Sequence, residues 1–385
     1  MSYRLGPSVC ALPANLDNDV GAVDVDSISD VLDENKLLIS FVVFRHGDRT
    51  PQQIELDLYP AAPFNESIFY PYGKEALTIK GKQRAYSLGQ YLRKRYNDTI
   101  SQLYIPNEIT VRTTDYARTK MTALVVLAAM YPPTSEQNWN EDLNWQPIPY
   151  DTINKMDDDL LVFVNCPRYN ELHDHVYKDP AISTIIKSYQ SLFQLLSVKT
   201  GGKITKPKNV FFLDNLFQAL ENSGVKNDKW IEDVFSELKE VTKIDYSCLF
   251  YTDEQIKLST GVLLHEIVNI MKMAVAGDQE QAKLHLYSAH ENNVAALLAA
   301  LKIFKPHQPK YGSSIALELR RNLRTGKHGV MAVYAREAGG PGEVIPIGGC
   351  EEKIICDFDR FLNSIENMLL PRSEYREQCL SHVEN

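Results

Sequence analysis

Nowhere in these 385 residues does an unbroken apolar run reach the length that spans a bilayer. The opening stretch, MSYRLGPSVCALPANLDNDVGAVDVDSISD, has no continuous apolar segment of the kind that directs secretion. Positive charge is also short: 41 Lys and Arg stand against 50 Asp and Glu, for a formal net charge of −9. No basic tail or stripe offsets that balance. This argues against general nucleic-acid binding or attachment to acidic membranes, and it makes any cationic site local. Cysteine is sparse, at six residues, an even count that fits buried thiols as well as disulfides. Two sequons, Asn65-Glu66-Ser67 and Asn97-Asp98-Thr99, matter only in a secreted chain. They point to the secretory pathway, while the absent signal segment points away from it.

What is present reads as a globular protein, with 44% hydrophobic and 24% charged residues. The length suits one large domain with an insertion, or two domains. Residues 1–34 read as a poorly ordered leader. Residues 38–44, LISFVVF, form an apolar β-branched run expected to be a buried strand. Residues 77–96 carry Ala85, Leu88 and Leu92 at helical spacing, with basic groups outside. A second strand is expected over 107–111, then a buried helix over 117–130, stopped by Pro132-Pro133. This strand–helix grammar suggests parallel pairing in an α/β sheet. From 138 to 275 the pattern is helical stretches between polar loops, read as a helical insertion. Strands resume at 284–288, 315–320 and 330–336. Gly339-Gly340-Pro341-Gly342 then turns the chain into a hairpin. The expected catalytic α/β domain is thus discontinuous, 35–137 with 276–385, around an insertion at 138–275.

Three places put reactive polar groups at the C-terminal end of an apolar strand, the edge where ligands bind in open α/β sheets. They are Arg45-His46-Gly47-Asp48-Arg49, Arg112-Thr113-Thr114-Asp115 and Ser288-Ala289-His290-Glu291. If they converge, a pocket holds three arginines, two histidines and a carboxyl group. Guanidinium forks match phosphate oxygens, and a phosphoryl transition state spreads charge over three of them. A neutral imidazole can take the phosphoryl group covalently, and a carboxylic acid can protonate the leaving alkoxide. His46 therefore fits the nucleophile, Arg45, Arg49 and Arg112 the clamp, His290 a further phosphate donor, and Glu291 the acid. Gly47 would let the backbone pass close to the bound group.

RHGDRTP resembles the signature of the histidine acid phosphatases, the two-step branch of the phosphoglycerate-mutase-like superfamily. LTIKGKQRAYSLGQYLRKRY, VRTTDYARTKMTALVVLAAMYPP, NCPRYNEL and LYSAHENN resemble further blocks of that family, in the expected order. The resemblance spans roughly residues 36 to 380 and is strongest to the animal prostatic and lysosomal group. It implies a mixed central sheet flanked by helices, with an inserted, mostly helical domain. It implies a phosphorylated His46, phosphate binding by Arg45, Arg49, Arg112 and His290, no metal or other cofactor, and small phosphomonoester substrates. It also implies a secreted or lysosomal location and allows a homodimer. Among the cysteines it pairs Cys166 with Cys379 and Cys350 with Cys356, and gives Cys10 and Cys248 no partner. The family usually has His-Asp where this chain has His290-Glu291. The substitution leaves a second reading, a phospholigand-binding protein with impaired turnover. Glu291 lies at a helix start beside arginines, which favours its charged form, so activity is expected to rise as pH falls.

Other charged clusters receive blander readings. His173-Asp174-His175 and Asp157-Asp158-Asp159 are expected in solvated loops rather than around a cation. Arg93-Lys94-Arg95 is expected on a solvated helix face.

Overall fold

The computed structural model describes residues 22–278, 280–350 and 353–380. Residues 1–21 of the expected leader, and Cys10 with them, lie outside the described residues. Residues 23–34 of that expected leader are built into the fold. The strand β1 (Val23–Asp24) pairs with a strand near the other end of the chain, and a short helix α1 (Ser29–Glu34) leads into β2 (Asn35–Arg45).

Phe41, Val42, Val43 and Phe44 of β2 are all fully buried. A strand covered on both faces must lie inside a sheet, and β2 does. After α2 (Gln53–Leu56) and α3 (Ile79–Tyr96) come β3 (Ile109–Thr113), α4 (Ala117–Met130) and β4 (Asp151–Thr152). Helices α5 (Pro167–Val176), α6 (Pro180–Ser188), α7 (Gln190–Thr200), α8 (Pro207–Asn222), α9 (Lys229–Leu249) and α10 (Asp253–Val275) follow without a strand. The last part runs β5 (Leu284–Ala289), α11 (Glu291–Ala300), β6 (Ser314–Asn322), β7 (His328–Ala335), β8 (Glu343–Val344), β9 (Cys356–Asp357), α12 (Phe358–Ile365) and α13 (Arg372–Gln378). The strand order is β1-β8-β7-β6-β2-β5-β3-β4, with β9 beside β7. Strands β2, β5, β3 and β4 run parallel; β6, β7 and β8 are antiparallel.

The register sets the site. Arg45 lies opposite Ala289, and Ser288 opposite Thr113, so β2, β5 and β3 end level with one another. The residues that leave these ends, His46, His290 and Thr114, therefore emerge side by side.

Two elements within residues 138–275 are tied to the sheet. The strand β4 falls inside that range yet pairs with β3. Helix α10 packs Leu263, Leu264, Ile267 and Met271 into the same core as Phe41, Val43 and Leu317 of the sheet. A separate core, around Phe193, Leu196, Leu213, Phe217 and Leu238, joins helices α7 to α9 to the loop residues Tyr59 and Phe69. Helix α10 has 23 residues and is long and apolar enough to cross a membrane by length and composition, which the sequence reading did not anticipate. Its apolar side is buried against the sheet.

Single members of the charged runs expected in solvent are engaged inside instead, while Lys94, Asp157, Asp174 and His175 are exposed. Arg95 reaches Glu318 at 2.6 Å, and Arg320 reaches the same carboxylate at 2.8 Å, with Glu318 wholly buried. Asp158 pairs with Arg112 at 2.8 Å and Asp159 with Arg372 at 2.8 Å. His173 lies in α5, buried, with its Nε2 3.1 Å from the Tyr177 hydroxyl. Burial lowers its pKa to about 4, so it is neutral packing rather than a solvated loop. Disulfides join Cys166 to Cys379 and Cys350 to Cys356, as the resemblance implied. Cys248 is buried in α9.

Candidate active site

The signature loop is held from three sides. His46 N donates to Ala289 O at 3.1 Å, and Gly312 N donates to His46 O at 3.2 Å. Gly47 N donates to the Thr122 hydroxyl of α4 at 3.2 Å. A Cβ on Gly47 would stand 2.3 Å from the carbonyl oxygen of Gly81 in α3, and one on Gly81 would stand 2.1 Å from Asp48 O. These two glycines let the loop lie directly on the first turn of α3. Backbone packing alone thus requires a glycine at position 47. Asp48, buried, binds Arg84 of α3 at 2.6 Å and secures the same contact.

His46 is 1% exposed. Its Nδ1 lies 2.8 Å from Gly47 O, a carbonyl that can only accept, so Nδ1 carries the hydrogen. Nε2 is then left with its lone pair and lies 3.2 Å from Arg118 Nε. Burial, then the charges of Arg118, His290, Arg45 and Arg49, hold its pKa well below the usual histidine value. The ring stays neutral in acid.

Around it stand three buried guanidinium groups. Arg45 extends from β2, donates to Pro309 O at 2.7 Å, lies 3.8 Å from the Tyr311 ring centre and is 3.0 Å from Glu291 Oε2. Arg49 is clamped by Glu55 at 2.8 and 2.5 Å. Arg118, in the first turn of α4, is 4% exposed. Arg45 Nη2 and Arg49 Nε are buried donors without a hydrogen-bond acceptor among the described residues. Such donors are costly to bury unless an anion meets them.

His290 closes the other side, its ring 5.5 Å from that of His46 and its Nε2 3.0 Å from the Thr114 hydroxyl. Burial, followed by the charge of Arg118, lowers its pKa to about 3. Glu291 is also buried. Burial pushes its carboxyl up, but Arg45, His290 and Arg49 outweigh this and hold it below the usual value. Ligand atoms of His46, His290 and Glu291 lie within 4.8 Å of one another, a spacing that could also suit a metal. The three surrounding arginines favour an anion over a cation there.

Five of the six expected residues therefore meet: Arg45, His46, Arg49, His290 and Glu291. Arg112 does not. It points to Asp158 and to the Thr113 carbonyl. The third arginine of the cluster is Arg118. Glu55 and Tyr311 were likewise not singled out from the sequence. A signal for Arg118 was present: Arg118 and Thr122 are one helical turn apart, both buried, in a helix that is apolar from Ala123 onward. Polar groups on a buried face mark something polar opposite.

This fold and this anion-receiving cluster define a phosphatase of the histidine class, and the chain belongs to the Histidine phosphatase superfamily (branch 2), whose family model matches residues 37–334. It is similar to the venom acid phosphatase Acph-1 of Apis mellifera, 35% identical over 86% of this chain and 85% of that one. It is also similar to the prostatic acid phosphatase of Bos taurus, 32% identical over 84% and 83%. The lysosomal acid phosphatase of Xenopus laevis is 30% identical over 88% and 77%. In fold it matches the apo form of Hafnia alvei phytase with a TM-score of 0.66, at 15% identity over 90% of this chain and 99% of that one. By family the chain is a phosphoric monoester hydrolase.

Proposed function

We propose that this chain hydrolyses phosphate monoesters in two steps through a phosphohistidine at His46. The supporting observation is the state of that ring: neutral, hydrogen fixed on Nδ1, and Nε2 turned toward a cluster of three arginines. The Nε2 lone pair forms the P–N bond as the P–O bond to the alcohol breaks, and the departing oxygen takes a proton. Water then attacks phosphorus, the P–N bond breaks, and inorganic phosphate leaves with the neutral ring restored. Arg45, Arg49, Arg118 and His290 hold the three equatorial oxygens; Arg112 holds Asp158 instead.

Glu291 is ionised among these cations, and a carboxylate cannot donate. A bound phosphate would offset the arginines and raise the Glu291 pKa, so that substrate binding and protonation are coupled. A monoanionic ester can also bring the proton itself. Both routes fail as pH rises, because the ester loses its second proton near pH ~6. The low pKa of His46 keeps the nucleophile competent on the acid side. Turnover is therefore expected to peak below about pH 6 and fall through neutrality; a flat profile into alkali contradicts the scheme. Replacing Glu291 by Gln is expected to slow an alkyl phosphate about 10²-fold. Nitrophenyl phosphate should slow far less, because its leaving group needs little proton help.

The binder reading is weaker. The longer glutamate still reaches the centre, with its oxygen within 4.8 Å of both ring nitrogens. The deciding experiment is turnover of a chromogenic aryl phosphate in acid, with and without chelator, followed by an alkaline quench to trap label on His46. Chelator-resistant turnover with label at His46 supports the scheme. Phosphate binding without turnover supports the binder. For location, we infer passage through the secretory pathway, supported by two disulfides and by sequon asparagines, Asn65 and Asn97, that are both exposed.

A further inference from the structure

Glu75 occupies an unusual place. It is one of three non-glycine residues with positive φ among the described residues, at 61°. Side chains pay for that conformation, so something else must hold it. The holding contacts come from the signature loop: Glu75 N donates to Pro51 O at 3.0 Å, Thr50 N to Ala76 O at 2.9 Å, and Thr78 N to Asp48 O at 2.9 Å. The carboxylate is thereby fixed against the nucleophile's own loop. Its Oε2 lies 3.3 Å from Arg118 Nη1, while Arg118 Nε faces His46 at 3.2 Å. One guanidinium thus has its inner edge on the nucleophile and its outer edge on a carboxylate. The Glu75 side chain is 44% exposed and that of Arg118 only 5%, which puts Glu75 at the mouth of the pocket.

The other charged groups at that mouth balance Glu75 rather than outnumber it, since Lys120 and Lys155 face the single Asp115 carboxylate. Tyr116 lays its ring 4.5 Å from the Arg118 guanidinium and 5.1 Å from His290, forming an aromatic wall. Lys155 stands 5.4 Å from the same ring, but it acts together with Lys120 on the Asp115 carboxylate. A neutral or aromatic alcohol fits beside Tyr116. An alcohol carrying a second phosphate close to the scissile one would bring that charge against Glu75.

We propose that Glu75 is a specificity residue, a fixed negative charge at the pocket mouth that selects monophosphates of uncharged alcohols and rejects esters with a neighbouring anionic group. The proposal rests on the phosphatase reading above and names its substrate class. The likeness to phytases is at 15% identity and concerns the fold alone.

The test compares kcat/KM for nitrophenyl phosphate and for myo-inositol hexakisphosphate in the wild type, Glu75→Gln and Glu75→Gly. The glycine variant also removes the cost of positive φ, so it guards against a folding defect. The ratio of the two values is expected to shift toward the hexakisphosphate by roughly two- to fivefold in both variants, the size of a partly screened charge interaction. That gain should shrink in high salt. An unchanged ratio in both variants overturns the proposal. So does an equal rise on both esters, which would mean that Glu75 only competes with phosphate for Arg118. No wild-type turnover of either ester would overturn the phosphatase reading itself, and this proposal with it.

Discussion

His46→Ala is expected to lose turnover on the order of 10⁵- to 10⁶-fold, the loss typical of removing a covalent nucleophile. Binding of inorganic phosphate should survive within about tenfold, because Arg45, Arg49 and Arg118 carry the charge that attracts it and a neutral ring adds little. The split between lost turnover and kept binding is the informative outcome. Nor does His290 offer a replacement nucleophile: its Nε2 is engaged with Thr114, and its ring stands edge-on to that of His46. Free imidazole added to the variant should restore part of the rate by entering the space left by the side chain. The measurements are steady-state turnover, phosphate inhibition, and label retained after an alkaline quench. Retention of more than a few percent of wild-type turnover would place the nucleophile elsewhere.

Much of this centre was legible because strand ends are legible. Residues 38–44 and 284–288 announce two buried strands through their β-branched and apolar content, and the residues that follow them must then emerge at one sheet edge. Parallel register does the rest, and it aligns Arg45 with Ala289. What the sequence did not reveal were partners distant in the chain. Asp158 looks like one residue of an acidic loop until the fold brings it to Arg112. Glu318 looks like a strand carboxylate until Arg95 and Arg320 converge on it. A helical period assigns Arg95 a face but not what covers that face. Glu55 shows the same limit at the site itself. Only a bidentate contact, invisible in the spacing, marks it as the residue that orients Arg49. Which helices of residues 138–275 pack on the sheet was not legible for a related reason. Helix α10 has the same apolar pattern whether it packs on other helices or on the sheet, and only the three-dimensional core assigns it to the sheet.

Arg112 and Arg118 make opposite predictions. Along β3 successive side chains alternate between faces. Val111 joins the core beside α3 and α4, and Arg112 turns to the other side, toward Asp158. Arg118, one turn before Thr122 on α4, faces the signature loop. Arg118→Ala removes a donor 3.2 Å from His46 Nε2, the nitrogen proposed to attack. It is expected to lower kcat/KM on the order of 10³-fold while leaving the melting temperature nearly unchanged, since a buried guanidinium among other cations contributes little to folding. Its pKa is in fact lowered, by burial and then by Arg49, which is the sign of a cation held where folding alone does not favour it. Arg112→Ala should do the reverse. It breaks a buried pair and destabilises by about 3 kcal/mol, while the folded fraction keeps its turnover. The loss should grow as pH rises. Burial already raises the Asp158 pKa, and without Arg112 it rises further. The folded state then binds a proton that the unfolded state releases, so stability is retained in acid and lost with increasing pH. Paired measurements of kcat/KM and thermal unfolding at two pH values separate the two arginines. A catalytic defect in Arg112→Ala, with Arg118→Ala near wild type, would reverse the assignment of the clamp.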